Sequence, residues 1–421
     1  MNPVINERSK NPNEAQAIWN QVVEDLGLNV IKHDYKTNQI TTRLCYISQN
    51  DQTVKGMGKG SNELEIDLSA SYEALEYYLA SYPLHPYSKI EGTLSEISTN
   101  HRVIPYRCDP EIFLKLAETV SLPWIIYSNM ESQQSYAVPM ASVDLSYRGT
   151  QAKNDFLDYG QAQLYAASTG LASGGSYEEA VIHAALEIIE RDALSYFSID
   201  CCILNKPVTL INHDTLPEDT RELIKKIEFD YQNEILIMNL PSRYGAEVYV
   251  ANFRYPTFEV RPCGSGASLQ SKHALERAVH ELSQSYNLMD GDYLETTIDR
   301  ENLNYNSLIE NVLQADLEDL IVKENLIPFQ DNSLEYSHHN LSDYLAKIIE
   351  LIKIQGSHLL INKVYQHPNG LSCVRAIIPG AEEFYLIGHY LKLNPNTETQ
   401  NYIYNQLGKK FSWNDFNLSG E

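Results

Sequence analysis

Two pairs of glutamates, Glu73 with Glu76 and Glu187 with Glu190, are the residues of this chain best spaced for chemistry. Each pair reads Glu-x-x-Glu, so on a helix both carboxylates leave from one face. The segment 180–194 is apolar on nearly every side, the pattern of a buried helix, and 68–79 repeats the situation. Burying an ionised carboxylate without a partner is costly, so four together call for cations. Oxygen-only ligands in pairs suit Mg2+, which commonly bridges carboxylates to the phosphates of a nucleotide. The ordinary alternative is an i,i+4 ion pair between Glu187 and Arg191, with the other acids on a solvated face. A third helix, over 274–284, sets Arg277, Glu281 and Gln284 in a stripe beside an apolar one. Arg277 there suits a phosphate and Glu281 a metal or ribose; a surface Arg–Glu pair is the other reading.

The elements that must position these side chains come next. The spacing predicts helices over 14–26, 64–81, 177–199, 218–229 and 270–288. Strands are predicted near 40–47, 124–127, 136–143, 235–240, 247–253, 359–365 and 372–378. Glycine-rich stretches, Gly56-Met-Gly-Lys-Gly60, 170–175 and Gly264-Ser-Gly266, read as loops before the three helices of interest. Setting Gly60 on Gly174 places Glu73 on Glu187 and Glu76 on Glu190, an internal echo of glycine loop and helix. The expectation is a mixed α/β (α+β) chain with helices packed on mixed sheets. An N-terminal extension (1–54) precedes a catalytic domain (55–405), with an acidic insertion at 292–345 and a C-terminal tail at 406–421.

Several tempting motifs lead nowhere. Gly58-Lys-Gly-Ser61 lacks the frame of a phosphate-binding P-loop, although Lys59 beside flexible glycines can reach an anion. His183 and Glu187 are four apart, but no third zinc ligand is indicated. His338-His339 sit in a polar stretch and read as solvated. No Gly-x-Ser-x-Gly supports a hydrolase. With 56 Asp+Glu against 32 Lys+Arg among 421 residues, the formal charge of −24 argues against duplex nucleic acid and anionic membranes as partners. The six cysteines include no Cys-x-x-Cys pair and the N-terminus has no apolar signal core, so a reducing cytoplasm is expected.

The segment running from Ser168-Thr-Gly-Leu-Ala-Ser-Gly-Gly-Ser-Tyr-Glu-Glu-Ala180 into Leu186-Glu-Ile-Ile-Glu-Arg-Asp-Ala193 resembles the signature of the YcaO family. So do Gly58-Lys-Gly60 with Ser69-x-x-x-Glu73-x-x-Glu76, Ala274-Leu-x-Arg277-Ala-x-x-Glu281-x-x-Gln284, and Ile378-Pro-Gly380. The resemblance spans roughly 55–395 with its motifs in order. It implies a YcaO-type fold that binds ATP with Mg2+ and activates a peptide-backbone amide by phosphorylating its oxygen. Azoline formation from Cys, Ser or Thr in a ribosomally made precursor peptide is the leading expectation. Thioamide or amidine formation, or an inactive nucleotide-binding scaffold subunit, are the alternatives. By the resemblance, Glu73, Glu76, Glu187 and Glu190 hold the metals, while Ser69, Glu179, Arg191, Arg277, Glu281 and Gln284 line the nucleotide. Implied partners are the precursor peptide, a separate leader-binding protein and an azoline-oxidising flavoenzyme; an oligomer is compatible with it. Three departures stand out. Tyr77 occupies a position where Arg is usual, Thr169 and Gly175 stand where Asn is frequent, and the last proline is Pro395, so no Pro-x-Pro-x-Pro tail is expected.

Overall fold

In a computed structural model of the chain, the residues described are 7–81, 89–144, 165–255, 262–290, 321–332, 335–336, 340–385 and 394–411. Their elements run α1 (Pro12–Leu26), β1 (Asn29–Lys36), β2 (Thr41–Gln49), β3 (Gln52–Gly58) and α2 (Glu63–Ser81). Then come β4 (Lys89–Gly92), α3 (Leu94–Ile97), β5 (Arg102–Val103), α4 (Pro110–Ala117), β6 (Leu122–Asn129) and β7 (Ser135–Pro139). The central part holds β8 (Leu171–Gly174), α5 (Tyr177–Cys202), β9 (Val208–Ile211), α6 (Glu218–Tyr231), β10 (Ile235–Leu240), β11 (Glu247–Phe253), β12 (Cys263–Ser268) and α7 (Ser271–Asp290). The chain closes with β13 (Ile321–Ile327), α8 (Leu341–Ile354), β14 (Leu360–Gln366), β15 (Ser372–Ile377) and α9 (Thr397–Leu407).

Three sheet–helix units organise the site. In the first, β1-β2-β3 form an antiparallel sheet that runs directly into α2. In the third, β10-β11-β12 do the same before α7. The middle unit is assembled from distant chain segments: β14-β15-β8 end the seven-stranded sheet, and β8 runs into α5. Each helix also reaches the next unit, α2 touching β8, α5 touching β12 and α7 touching β2, which closes a ring.

The glycines expected in loops lie largely within strands, and the reason is close packing. A Cβ on Gly58 would fall 2.0 Å from the Ile66 carbonyl oxygen, and one on Gly264 2.0 Å from that of Ala278. Only glycine lets helix and strand backbones approach so closely. The same contacts define the repeat. A Cβ on Gly60 would meet Glu65 and Ile66, and one on Gly174 would meet Glu179 and Ala180. Gly58 lies against Ile66 and Ala70 as Gly266 lies against Ala274 and Ala278. The echo between α2 and α5 therefore extends to α7, a third member that the sequence reading left outside it.

Other local expectations hold with adjusted ends. An Asn11–Glu14 capping box starts α1 and a left-handed Gly27 (φ 62°) stops it. The strand expected over 136–143 ends at Pro139 and passes into a short 3-10 turn. Residues 7–49, read as an extension, supply α1 and two of the three strands under α2, and Trp19, Val22, Cys45 and Ile47 share a core with Ala70, Ala74 and Leu75. Of the stretch read as an insertion, 292–320, 333–334 and 337–339 lie outside the described residues. Its remainder includes β13, which pairs parallel to β9, and Tyr336, Tyr344 and Leu345, buried in the same core as α5. His338 and His339, and 412–421 of the tail, also lie outside the described residues. Among the described residues no helix is long and apolar enough to cross a membrane.

Candidate active site

The repeat aligns three side-chain stripes at i, i+4, i+8 and i+11. On α2 they are Glu65, Ser69, Glu73 and Glu76; on α5, Glu179, His183, Glu187 and Glu190; on α7, His273, Arg277, Glu281 and Gln284. All ten residues expected at the metal and nucleotide sites fall on these stripes or beside them, Arg191 following Glu190 by one. Glu190, Glu179 and Gln284 are buried, while Ser69, Glu73, Glu76, Glu187, Arg191 and Arg277 are half-buried.

The four paired glutamates are anchored chiefly by main-chain donors. Met57 N–H donates to Glu73 Oε2 at 3.2 Å, and Ser173 N–H to Glu76 Oε2 at 2.8 Å. Gly170 N–H approaches Glu187 Oε2 at 3.3 Å. Glu190 accepts from Ser265 Oγ at 2.7 Å, with Arg191 Nη1 3.3 Å away. Such support does not offset the crowding. Desolvation, with the charge of Glu281 adding to it, pushes the Glu73 carboxyl up to about 7. Desolvation and then the Glu190 charge do the same to Glu187, also to about 7, against the pull of Arg191. Glu76 is driven well above the usual carboxylate range by burial and by the charges of Glu187 and Glu73. These three are carboxyls in want of a cation. The solvated-face alternative is therefore set aside, and the Glu187–Arg191 pair is long, at 4.0 Å.

The α7 stripe is balanced differently. Glu281 pairs with Lys59, not with Arg277. Burial alone would raise its carboxyl, but Lys59, Arg191 and Arg277 outweigh that and hold it below the ordinary value. Arg277 Nε is buried without a hydrogen-bond partner among the described residues. An arginine left so is poised for an anion that completes its set. Arg191 spreads over the Tyr385 ring, 5.2 Å from its centroid, and donates to Ser265 Oγ at 3.4 Å. The Tyr385 hydroxyl meets Thr169 Oγ1 at 2.5 Å.

Several contributors were not visible beforehand. Ser265 lies between the glycines of β12, where Met57 lies between those of β3, and only the third copy of the repeat would have marked it. Residues 7–9 fold over the stripes. Arg8 Nη1 bonds Glu179 at 3.0 Å, and Ser9 bonds it through N–H at 3.0 Å and Oγ at 2.6 Å. Glu7 is buried against Ser268, Tyr344 and His273. Glu179 is thus already satisfied by the chain itself. Tyr77 sits among Glu73, Glu76 and Glu187, and its hydroxyl is raised by burial and by their charges.

Oxygen donors on α2 and α5, three carboxyls with raised affinity for protons and an arginine whose buried Nε lacks a partner among the described residues fit Mg2+ with a polyphosphate. Among the described residues no three of His, Cys, Asp or Glu converge closely enough to hold an ion by themselves. The carboxylates are divided between α2 and α5, which suits an ion that takes much of its octahedron from phosphate and water. His183 is likewise without a zinc cluster among those residues.

The profile of the family described as "YcaO cyclodehydratase, ATP- and Mg2+-binding" matches residues 57–382. The chain belongs to the YcaO family. A solved structure of YcaO from Methanopyrus kandleri, bound with AMPPCP and Mg2+, is similar with a TM-score of 0.66 at 19% identity, over 93% of this chain and 96% of that one. A heterocyclase in complex with substrate and cofactor gives 0.67 at 16% identity, over 100% of this chain and 58% of that one. An uncharacterized protein of Methanothermobacter thermautotrophicus is 33% identical over 147 residues, and the match spans about a third of each chain (33% and 33%). The solved structures bear out the expected fold, and the profile bears out the family.

Proposed function

We propose that the chain binds ATP with Mg2+ between α2, α5 and α7 and uses it to activate backbone amides of a ribosomally made precursor peptide. Azoline formation is the favoured outcome. The observation that carries the reading is the burial of Glu73, Glu76 and Glu187 on the stripes of α2 and α5, where desolvation and then neighbouring acids raise all three carboxyls above the ordinary range. Mg2+ supplies the positive field that ionises them and neutralises phosphate charge. Glu73, Glu76, Glu187 and Glu190 hold the ions. Ser69, Glu179, Arg191, Arg277, Glu281 and Gln284 line the nucleotide, where the unpartnered Arg277 Nε would meet a phosphate oxygen, and Lys59 is held on Glu281. The family membership and the ligands named for the Methanopyrus neighbour support this assignment.

The proposed reaction suits such a site because an amide is a poor electrophile. A Cys, Ser or Thr side chain adds to the carbonyl carbon and gives up its proton. The oxyanion takes the γ-phosphoryl group as the bond to ADP breaks. The carbon–oxygen bond then breaks, phosphate leaves with the former amide oxygen, and nitrogen sheds its proton to form the C=N bond of the ring. Arg191 and Arg277 meet the negative charge that spreads over the transferring group. A separate protein that delivers the peptide is part of the reading.

The test is mass spectrometry of precursor peptide incubated with the chain, its delivering protein, ATP and Mg2+, with released phosphate counted alongside. Loss of one water per phosphate is expected. Exchange of oxygen for sulfur or an amine would move the assignment to thioamide or amidine chemistry. An unchanged peptide with intact nucleotide binding would overturn the catalytic reading in favour of a scaffold subunit.

A further inference from the structure

We infer that Arg107, with Glu383, is a positioning residue of the nucleotide site: it fixes the Thr169–Gly170 peptide that orients Glu187 and, through Glu383, the Tyr385 ring that faces Arg191. The inference rests on the nucleotide reading above and adds to it a residue outside the three helices. Arg107 lies between β5 and α4, and its guanidinium uses all five of its N–H groups within the protein. Nε and Nη2 donate to the two oxygens of Glu383 at 2.7 and 2.6 Å, a bidentate fork. Nη1 donates to the Ser142 carbonyl at 3.2 Å and the Ala167 carbonyl at 2.7 Å, and Nη2 to the Thr169 carbonyl at 3.2 Å. Glu383 accepts further from the Tyr106 hydroxyl at 3.0 Å and the Tyr165 hydroxyl at 3.3 Å. Both charges are buried, Arg107 being 6% and Glu383 7% exposed. Taking such a pair out of water is costly, and the cost is met only when the remaining donors find partners, as they do here. Arg107 reaches them from a left-handed backbone (φ 52°) that a long side chain seldom takes. With every donor used, Arg107 has none left for a phosphate, so it acts on the site through what it holds.

Two arms lead from Arg107 to the site. The first is a single peptide group. A trans peptide turns its C=O and its N–H to opposite sides. In the Thr169–Gly170 group the C=O meets Arg107 while the Gly170 N–H donates to Glu187 Oε2 at 3.3 Å. The peptide dipole thus lies between a cation and a carboxylate, each end toward the opposite charge, and the two hydrogen bonds strengthen each other. Gly170 is itself pinned to β15: its carbonyl accepts from Ala376 N–H at 2.7 Å, and a Cβ on it would fall 2.4 Å from the Ala376 carbonyl oxygen. The second arm runs through Glu383. Two residues further on, Tyr385 N–H donates to Ser195 Oγ of α5 at 2.9 Å, its hydroxyl meets Thr169 Oγ1, and its ring faces Arg191. Arg107 therefore ties 165–169 to 383–385 where the one reaches Glu187 and the other Arg191. A pair that served stability alone could sit anywhere in the core, whereas this one ends on an acid proposed to hold metal and an arginine proposed to line the nucleotide.

Thr169–Gly170 is the one Thr–Gly step in the sequence, so the full chain carrying carbonyl-13C threonine and 15N glycine gives a single carbonyl–amide NMR correlation from that peptide. Arg107→Lys keeps the charge and loses the fork. It is expected to move this signal from the carbonyl side, and Glu187→Gln from the amide side. Calorimetric titration with Mg2+ and AMPPCP is expected to show about tenfold weaker binding in Arg107→Lys. Added to Glu187→Gln, the same substitution should cost only about threefold, the share carried through Arg191, because the rest passes through one peptide. A residue that merely supports the fold would lower the fraction of chain able to bind and leave the affinity of that fraction native. Tyr385→Phe, which removes the hydroxyl on Thr169, takes the place of Arg107→Lys should that chain fail to fold, with about threefold weaker binding expected. Native affinity in the folded variant, the same penalty in both backgrounds, or a peptide signal indifferent to Glu187→Gln would each overturn the inference. A native chain that fails to bind AMPPCP, with the signal moved by both substitutions, would leave the positioning of Glu187 standing and overturn the nucleotide reading instead.

Discussion

The first and third sheet–helix units share one scaffold and differ in charge. Both place glycines of the last strand under an alanine stripe of the following helix, and both carry a glutamate at the same height, Glu73 and Glu281. Around Glu73 stand the Met57 N–H and the acid Glu281, with Ser69 before it and Glu76 after it, and desolvation outweighs the charges of Lys59 and Lys55. Around Glu281 stand Lys59, Arg191 and Arg277, and Gln284 replaces the second acid. One carboxyl is consequently pushed up to about 7 and the other held low. The backbone repeat fixes where a side chain stands; Arg277 in place of Ser69 and Gln284 in place of Glu76, together with Lys59 and Arg191 from outside α7, change the field at that glutamate.

The shared scaffold is the easiest part to break. Gly58→Ala and Gly264→Ala each force a Cβ to about 2 Å from a helix carbonyl, which no side-chain movement relieves. Both are expected to cost about 3 kcal/mol or more in urea unfolding, and by similar amounts. A mild effect in one unit alone would show that the two are not equivalent.

The difference in charge is tested next. Arg277→Ala should weaken Mg2+·AMPPCP binding by about 2–3 kcal/mol, and Arg277→Lys should recover little, because a lysine lacks the planar fork. Direct titration of Mn2+, followed by its electron paramagnetic signal, should show the ion sites of this variant intact. Loss of both would merge the two faces into one.

Titration separates the units again. Glu73 and Glu187 bind protons more tightly in the folded chain than in the unfolded one. The stability they lend without metal is therefore full below about pH 4.5 and lost as pH rises through about 7. At pH 8 without Mg2+, Glu73→Gln or Glu187→Gln should stabilise the fold by about 1–3 kcal/mol in chemical denaturation. Glu281→Gln should instead destabilise it, by stranding Lys59. The smallest change is expected from Lys59→Met, about 1 kcal/mol, because both partners of that pair are partly exposed. Its signature is a rise of the Glu281 carboxyl toward the behaviour of Glu73, visible by carboxyl NMR.

Much of this was legible in the sequence, for physical reasons. The Glu-x-x-Glu pairs on apolar helices announce buried acids, and the offset between Gly60 and Gly174 survives as matched contacts in space. Strands 235–240 and 247–253 fall where their apolar runs and the turn at Gly245 put them. What was hidden depends on long-range assembly. The middle unit borrows β14 and β15 from far along the chain, so no local pattern shows it as a copy of its neighbours. Glycines that signal a turn in isolation are, in β3 and β12, concessions to a helix packed above. Ser265, Tyr385 and the cover of Arg8 and Ser9 over Glu179 arise only when separate segments meet. The pairing of Glu281 with Lys59 bridges two units and has no counterpart in the spacing along α7.

The central claim, that the acids of α2 and α5 together hold the cations of a bound nucleotide, is met most directly by calorimetric titration of AMPPCP with and without Mg2+ into the native chain and into Glu190→Gln. Binding that needs Mg2+ and weakens by about a hundredfold in the variant, roughly 2.7 kcal/mol, is the predicted result. Equal affinity in both proteins, or binding indifferent to Mg2+, would contradict it.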